Sequence, residues 1–225
     1  MTLGGAQPLD TPRDDPYRIA VLVSGSGTNL QAILDGVHGR DGILVDSVVS
    51  NTAGARALDR AGEAGVETAV FDVAEYPDRA ERDRAMAGYL KQRGVRLIVL
   101  AGYMHLLDAT FLAEFPNAVI NVHPALLPAF PGANPVRDQI AYGAKVSGVT
   151  VHFVDDGVDT GPIILQEAVT LPYTRDQEEI LTALHRTEHD LLPRAIRLFA
   201  AGGVRIDADN PRLVHVDEGV IANHG

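Results

Sequence analysis

The chain has 225 residues, no Cys, no Trp, 46% hydrophobic residues and a formal net charge of -11. That length and apolar content suit one large α/β domain or two small ones. The lack of Cys excludes disulfides, thiol catalysis and Cys-ligated zinc. The acidic balance argues against a general nucleic-acid surface, and no apolar run reaches the roughly 18 residues of a membrane helix.

Residues 1–16 carry Asp, Pro and Gly without an apolar stretch, so a disordered leader is expected rather than a signal peptide. Residues 18–23 form a continuous apolar run, the pattern of a buried parallel strand. The run ends at Ser24-Gly25-Ser26-Gly27-Thr28-Asn29, and a helix is expected over about 29–35. A second strand follows at 43–49, an Ala-rich helix at 53–64 closed by Gly65, and a third strand at 67–71. Pro77 opens a charged helix that stops at Gly94. Residues 97–100 form another buried strand, 109–114 a short helix, and 118–123 a strand. This β-α alternation predicts a doubly wound, mostly parallel sheet.

The later part reads differently. Pro124, Pro128, Pro131 and Pro135 make 124–135 a rigid, non-helical loop. A short helix at 136–142 leads to an alternating strand at 147–153. An acidic loop at 155–161 and a strand at 162–169 follow, mixed with the parallel sheet. Residues 176–200 form a long amphipathic helix with Ile180, Leu184, Leu191, Leu192 and Ile196 as its stripe. A terminal hairpin is expected from 205–206 and 213–216, with the rest of the tail loose.

Two segments carry chemistry. Asn121 and His123 are two apart at the end of a strand, so they share a side of it. There, at the carboxyl end of a strand in an open α/β sheet, ligands bind. An amide, an imidazole and the carboxylate of Asp159 can together hold an oxyanion and move protons. The 24–29 loop joins a strand to a helix, where glycines and a helix N-terminus favour phosphate. It lacks the Lys of a Walker A loop and the third Gly of the dinucleotide fingerprint, which favours a monophosphate ester over ATP or NAD. A tight β-α turn without a ligand accounts for the same residues.

Together the 24–29 loop, Ala101-Gly102-Tyr103-Met104, Asn121-Val122-His123-Pro124-Ala125-Leu126-Leu127-Pro128, Phe130-Pro131-Gly132 and Asp159-Thr160-Gly161-Pro162-Ile163 resemble one family. It is the phosphoribosylglycinamide formyltransferases, also called glycinamide ribonucleotide transformylases, of the 10-formyltetrahydrofolate-dependent superfamily. The likeness runs over about residues 18–200. It implies a Rossmann-like formyltransferase fold with a mixed C-terminal part. A single domain at 17–201 is expected, with a nucleotide-binding half at 17–120, a folate and catalytic half at 121–201, and a tail at 202–225. It also implies transfer of a formyl group from 10-formyltetrahydrofolate to the amine of 5-phosphoribosylglycinamide, in purine biosynthesis, with no metal required.

By that resemblance Asn121 and His123 donate to the developing oxyanion, and Asp159 orients His123 and helps carry the proton. Gly27, Thr28 and Asn29 match the phosphate and ribose contacts, and Glu188 an acid near the ribose and glycinamide. Arg79 matches a folate-end contact. Met104, His105, Leu106 and Leu107 match the pterin wall, and Asp155, Asp156, Gly157 and Val158 the loop that closes over it. Without the resemblance, Glu188 reads as a solvated helix residue, Arg79 as a surface ion pair, and Met104 with the Leu pair as core. Two departures stand out: Asn134 occupies a place where a His is usual after Phe-Pro-Gly, and His105 and Ala129 replace residues that are often basic.

Rival readings are a 10-formyltetrahydrofolate hydrolase, a sugar-nucleotide formyltransferase, a non-catalytic binder and a metal hydrolase using His185 and His189. The phosphate-type loop disfavours the first. The short, acidic chain disfavours relatives with an added nucleotide-binding or RNA-contacting domain. Small-molecule substrates, no nucleic acid, no membrane and a cytoplasmic location are expected; a homodimer is left open.

Overall fold

The computed structural model describes residues 15–171, 174 and 176–222, so the leader expected over 1–16 lies almost wholly outside the described residues. In chain order the first elements are β1 (Tyr17–Val23), α1 (Thr28–Val37), β2 (Ile43–Ser50), α2 (Arg56–Glu63) and β3 (Glu67–Val70). A 3₁₀ turn (Val73–Glu75) leads to α3 (Arg79–Gln92), β4 (Leu97–Leu100), α4 (Ala109–Glu114), β5 (Val119–His123) and α5 (Pro135–Tyr142). The chain then forms β6 (Val146–Phe153), β7 (Ile163–Thr170), α6 (Gln177–Ala200), β8 (Val204–Ile206), β9 (Val214–Val216) and α7 (Gly219–Ala222).

Among the described residues β1 to β7 form a seven-stranded sheet of order β3-β2-β1-β4-β5-β6-β7. Strands β1 to β5 are parallel, and β6 and β7 are antiparallel. This is the mixed, doubly wound α/β sheet expected. Each central strand is apolar on both faces, because helices cover both. Ile19, Val21 and Val23 of β1 join one core, with α1 and α6. Ala20 and Leu22 join the other, with α3 and α4. The same parity puts Ile120 and Val122 of β5 in the first core and Val119 in the second. Asn121 and His123 therefore fall on the α3-α4 side, at the carboxyl end of the strand.

Helix starts follow their caps. The Asp78 side chain accepts from the Glu81 N–H at 2.8 Å, so α3 begins at Arg79 and not at Pro77. Helix α2 begins at Arg56 rather than 53, because Ala55 is extended and closes a turn onto Thr52. Asp176 caps α6, whose predicted stripe is buried throughout. The expected hairpin is β8-β9, and the short α7 follows where loose chain is expected.

Strand order reverses between β1 and β4, which diverges the loops that leave them and opens a crevice. The loop ends are stitched together. Ser24 N–H donates to the Gly102 carbonyl at 3.2 Å, Met104 N–H donates to Ser24 Oγ at 2.9 Å, and Ser24 Oγ donates to Asn51 Oδ1. Next to the crevice, β6 packs hard against the 124–135 loop through Gly148. A Cβ at this position meets the Glu167 carbonyl oxygen at 2.2 Å and Leu126 Cδ2 at 2.4 Å. Gly148→Ala is expected to destabilise the fold by about 1–3 kcal/mol, the usual range for overpacking. A urea midpoint equal to wild type would show that the strand and loop can separate without cost.

Candidate active site

Strand pairing sets the site. Asn121 of β5 lies directly opposite His152 of β6, and His123 lies opposite Thr150. Asn121 Nδ2 is 3.2 Å from His152 Nε2 and 3.5 Å from Asp159 Oδ1. His123 Nδ1 is 3.3 Å from Asp159 Oδ2. Its Nε2 lies 2.8 Å from the Phe130 carbonyl, which can only accept. Asn121, His123 and Asp159, predicted from sequence, are thus brought together.

His152 is the member that sequence reading misses. It is 2% exposed, and its Nδ1 lies 2.8 Å from the Phe153 carbonyl, so this nitrogen donates. Burial pushes the ring's pKa below its ordinary value, and the nearby His123 adds to the shift; the neighbouring Asp159 carboxylate opposes it. A neutral ring with Nδ1 protonated leaves Nε2 as acceptor for one Asn121 N–H. The other Asn121 hydrogen faces Asp159 across the longer 3.5 Å gap.

Asp159 sits in a tight loop at φ +53, a left-handed conformation unusual for a side chain of its size but tolerated by Asp. Its Oδ2 accepts from the Gly132 N–H at 2.8 Å. Gly161 lets the loop close: a Cβ there would stand 1.8 Å from the Phe153 carbonyl oxygen. Asp155 winds the other end by accepting from Thr160 Oγ1 at 2.7 Å and the Gly157 N–H at 3.2 Å. Arg212, between β8 and β9, donates to the Thr160 carbonyl. The prolyl loop is held from below. Thr150 Oγ1 donates to the Ala125 carbonyl at 2.6 Å, and Gln166 Nε2 donates to the Leu127 carbonyl at 2.9 Å.

Across the crevice, Gly27 takes φ +75 as the residue before α1, packed directly against Ala57 of α2. Asn29 Nδ2 donates to Glu188 Oε2 at 3.0 Å, and Glu188 is 4% exposed. Glu188 is therefore a buried acid tied to the loop rather than a solvated helix residue. His185 Nε2 lies 3.9 Å from the same carboxylate, and its ring stacks on His189.

The 101–108 segment is divided. Met104 is 72% and Leu106 55% exposed, so both present apolar surface at the crevice mouth. Leu107 instead turns into the second core, so its side chain is not part of that surface. His105 packs beside Tyr103, whose buried hydroxyl is pushed up to about 12. Arg79 is half-exposed, 3.9 Å from Asp108. Val158 is exposed on the acidic loop, with Asp156 beside it. Asn134 is exposed at the start of α5 and lies outside the hydrogen-bonded cluster. Among the described residues no group of three His, Asp or Glu is arranged to hold a metal, and no helix is long and apolar enough to cross a membrane.

Comparison with known proteins bears on the family and the fold. The formyl transferase family model matches residues 17–196. Phosphoribosylglycinamide formyltransferase of Mycobacterium tuberculosis is 39% identical over 200 residues, covering 89% of this chain and 93% of that protein. The trifunctional purine biosynthetic protein adenosine-3 of Drosophila pseudoobscura pseudoobscura is 41% identical over 200 residues; the match covers 88% of this chain but only 14% of that much longer protein. Among solved structures, glycinamide ribonucleotide transformylase 1 from Symbiobacterium toebii superposes with a TM-score of 0.86 at 47% identity, covering 91% of this chain and 95% of that one. With the family match spanning most of the chain, and relatives of this identity aligned nearly end to end, the chain belongs to the formyl transferase family.

Proposed function

We propose that this chain transfers the formyl group of 10-formyltetrahydrofolate to the amine of 5-phosphoribosylglycinamide, giving formylglycinamide ribonucleotide and tetrahydrofolate. The observation that carries the reading is the Asn121, His123 and Asp159 cluster facing, across one crevice, a Gly27–Asn29 turn tied to buried Glu188. In the reaction the amine nitrogen adds to the formyl carbon and the bond to N10 breaks. One proton leaves the amine and one arrives at N10.

The residues suit each demand. Negative charge grows on the formyl oxygen, and the site must hold donors ready for it. Asn121 supplies the hydrogen that faces Asp159 only loosely, while His152 holds the other and fixes the amide plane. His123 supplies the second donor. Its Nε2 is engaged by the Phe130 carbonyl at 2.8 Å, so the hydrogen offered to the oxyanion is the one on Nδ1, which otherwise faces Asp159 at 3.3 Å. Asp159 orients that ring and takes the amine proton on its way to N10. Gly27, Thr28 and Asn29 receive the phosphate and ribose, and Glu188 holds the ribose and glycinamide end. Met104, His105 and Leu106, the backbone of Leu107, and the Asp155, Asp156, Gly157 and Val158 loop receive the pterin, with Arg79 toward the folate tail. The chain acts on small molecules without a metal, in the cytoplasm.

Formyl transfer is followed by absorbance of the folate, with and without the ribonucleotide. Turnover is expected only with the amine present, and Asn121→Ala is expected to lower kcat by roughly 10²–10³, the usual cost of one oxyanion donor. Asp159→Asn is expected to lower kcat at least as far. Folate turnover without any amine would overturn the transferase reading in favour of a hydrolase.

The role given to His152 requires a neutral ring, and that has a consequence for stability. In the unfolded chain a His titrates near about 6.5, and in the fold burial holds His152 lower. Between those values the unfolded chain takes up a proton that the folded chain refuses. This group's contribution is complete above about 6.5 and is lost as pH falls toward the folded value. The urea midpoint of wild type is expected to fall more steeply than that of His152→Gln between about pH 7.5 and 5.5. Equal slopes would mean that His152 is not held neutral.

A further inference from the structure

An anion bound at a strand-helix turn needs more than free amides. The carbonyl oxygens of the same turn must point elsewhere, or they repel it. In the 25–27 segment each of three consecutive carbonyls is occupied. Ala57 N–H donates to Gly25 O at 3.1 Å, Arg60 Nε to Ser26 O at 2.9 Å, and Gln31 N–H to Gly27 O at 2.9 Å. Two of the three donors come from α2, which reaches the turn because Gly27 has no side chain. A Cβ there would stand 2.7 Å from Ala57 Cβ and 3.3 Å from Arg60 Cδ. Arg60 is also the side chain that brings charge. Its Nη1 donates to Gln31 Oε1 at 3.0 Å, which clamps the guanidinium between the turn and the first turn of α1. Nη2 has no partner among the described residues. Helix α1 itself has no side-chain cap and no acidic residue in its first turn.

We propose that Arg60 is a positioning and charge-supplying residue of the phosphate subsite: it holds the Ser26 carbonyl away from the ligand and places a fixed positive charge behind the turn. The inference rests on the proposed reading of the turn as the seat of the substrate phosphate. A local cation matters here because the chain as a whole carries -11 and Glu188 lies beside Asn29. A phosphate monoester brings roughly -1.5 to -2 more.

The test compares the ribonucleotide with the same substrate lacking its phosphate, using the full chain. In Arg60→Ala, KM for the ribonucleotide is expected to rise about tenfold or more, the scale of one charge-assisted contact. Its kcat and the KM for the formylfolate are expected to stay within about twofold, and kcat/KM for the dephosphorylated substrate to stay unchanged. Arg60→Lys is expected to recover part of the loss. Arg60→Gln keeps a donor for Ser26 O without the charge, so it is expected to fall between Lys and Ala. Equal losses on both substrates, or a fall in kcat alone, would overturn the proposal. A second readout needs no turnover. Inorganic phosphate is titrated against wild type and Arg60→Gln and followed by the amide resonances of Gly27 and Thr28. Affinity about tenfold weaker in the variant is expected, and equal affinity sinks the role of Arg60. Weaker phosphate binding in a chain without formyl transfer would instead leave Arg60 in place and reject the transferase reading.

Discussion

The carboxylate of Asp159 is the point on which the site depends. Its Oδ2 accepts from the Gly132 N–H and faces His123, and its Oδ1 faces Asn121. These partners come from the end of β5 and from the prolyl loop that follows it, 27 to 38 residues before Asp159 in the chain. A charged acceptor held by a backbone donor and a ring joins them more strongly than neutral contacts would. The left-handed backbone at Asp159 and the close approach of Gly161 to Phe153 carry a local conformational cost. That cost is sustained because the loop is tied at both ends, by Asp155 within it and by Arg212 from the C-terminal hairpin.

The sheet determines where this junction can form. Reversal of strand order between β1 and β4 separates the Gly27 turn from the β5 end while keeping both on one rim. The switch from parallel to antiparallel pairing at β6 then brings His152 alongside Asn121. Antiparallel β6 runs back from the level of His123 to that of Ile120, so the 155–161 loop leaves it beside the amino end of β5 and folds back over the Asn121 side of the strand. The tight turns of that loop, held by Asp155 and allowed by Gly161, are thus what return Asp159 to the strand end.

Much of this was legible in the sequence, and the limits have physical causes. Continuous apolar runs marked the parallel strands, because both faces are covered. The two-residue spacing of Asn121 and His123 gave their shared side. Asp159 was grouped with them for its chemistry and by resemblance and not by spacing, since an irregular loop has no period to read. His152 sits in a strand whose existence was clear, yet its role depends on the register of β6 against β5, which no local pattern specifies. Arg60 escaped notice because its importance arises from α2 packing on a glycine more than thirty residues earlier in the chain. Glu188 shows the opposite case. Its sequence context reads as a charged helix face, while the fold buries it against α1 through Asn29. Leu107 was grouped with its exposed neighbours, but the turn into α4 rotates it into the core.

The proposed binding of a phosphate ester and a folate carboxylate by an acidic chain is less paradoxical than its net charge suggests. At physiological salt, exposed charges are screened over about 8 Å. Asp59, Glu63, Glu67, Glu75 and Glu81 are all exposed, so water and ions damp their effect on the crevice. Near the Gly27 turn the sign is set by groups within a few ångströms: the amides that open α1, the guanidinium of Arg60 behind them, and the Glu188 carboxylate held by Asn29. Global acidity then keeps the surface from attracting polyanions, while local donors decide which small anion is held. The same separation explains why replacements of often-basic residues at His105 and Ala129 need not abolish a phosphate subsite on the far side of the crevice. That subsite draws its field from α1 and α2, and it shares no hydrogen bond with the 101–108 segment beyond the anchoring of Ser24.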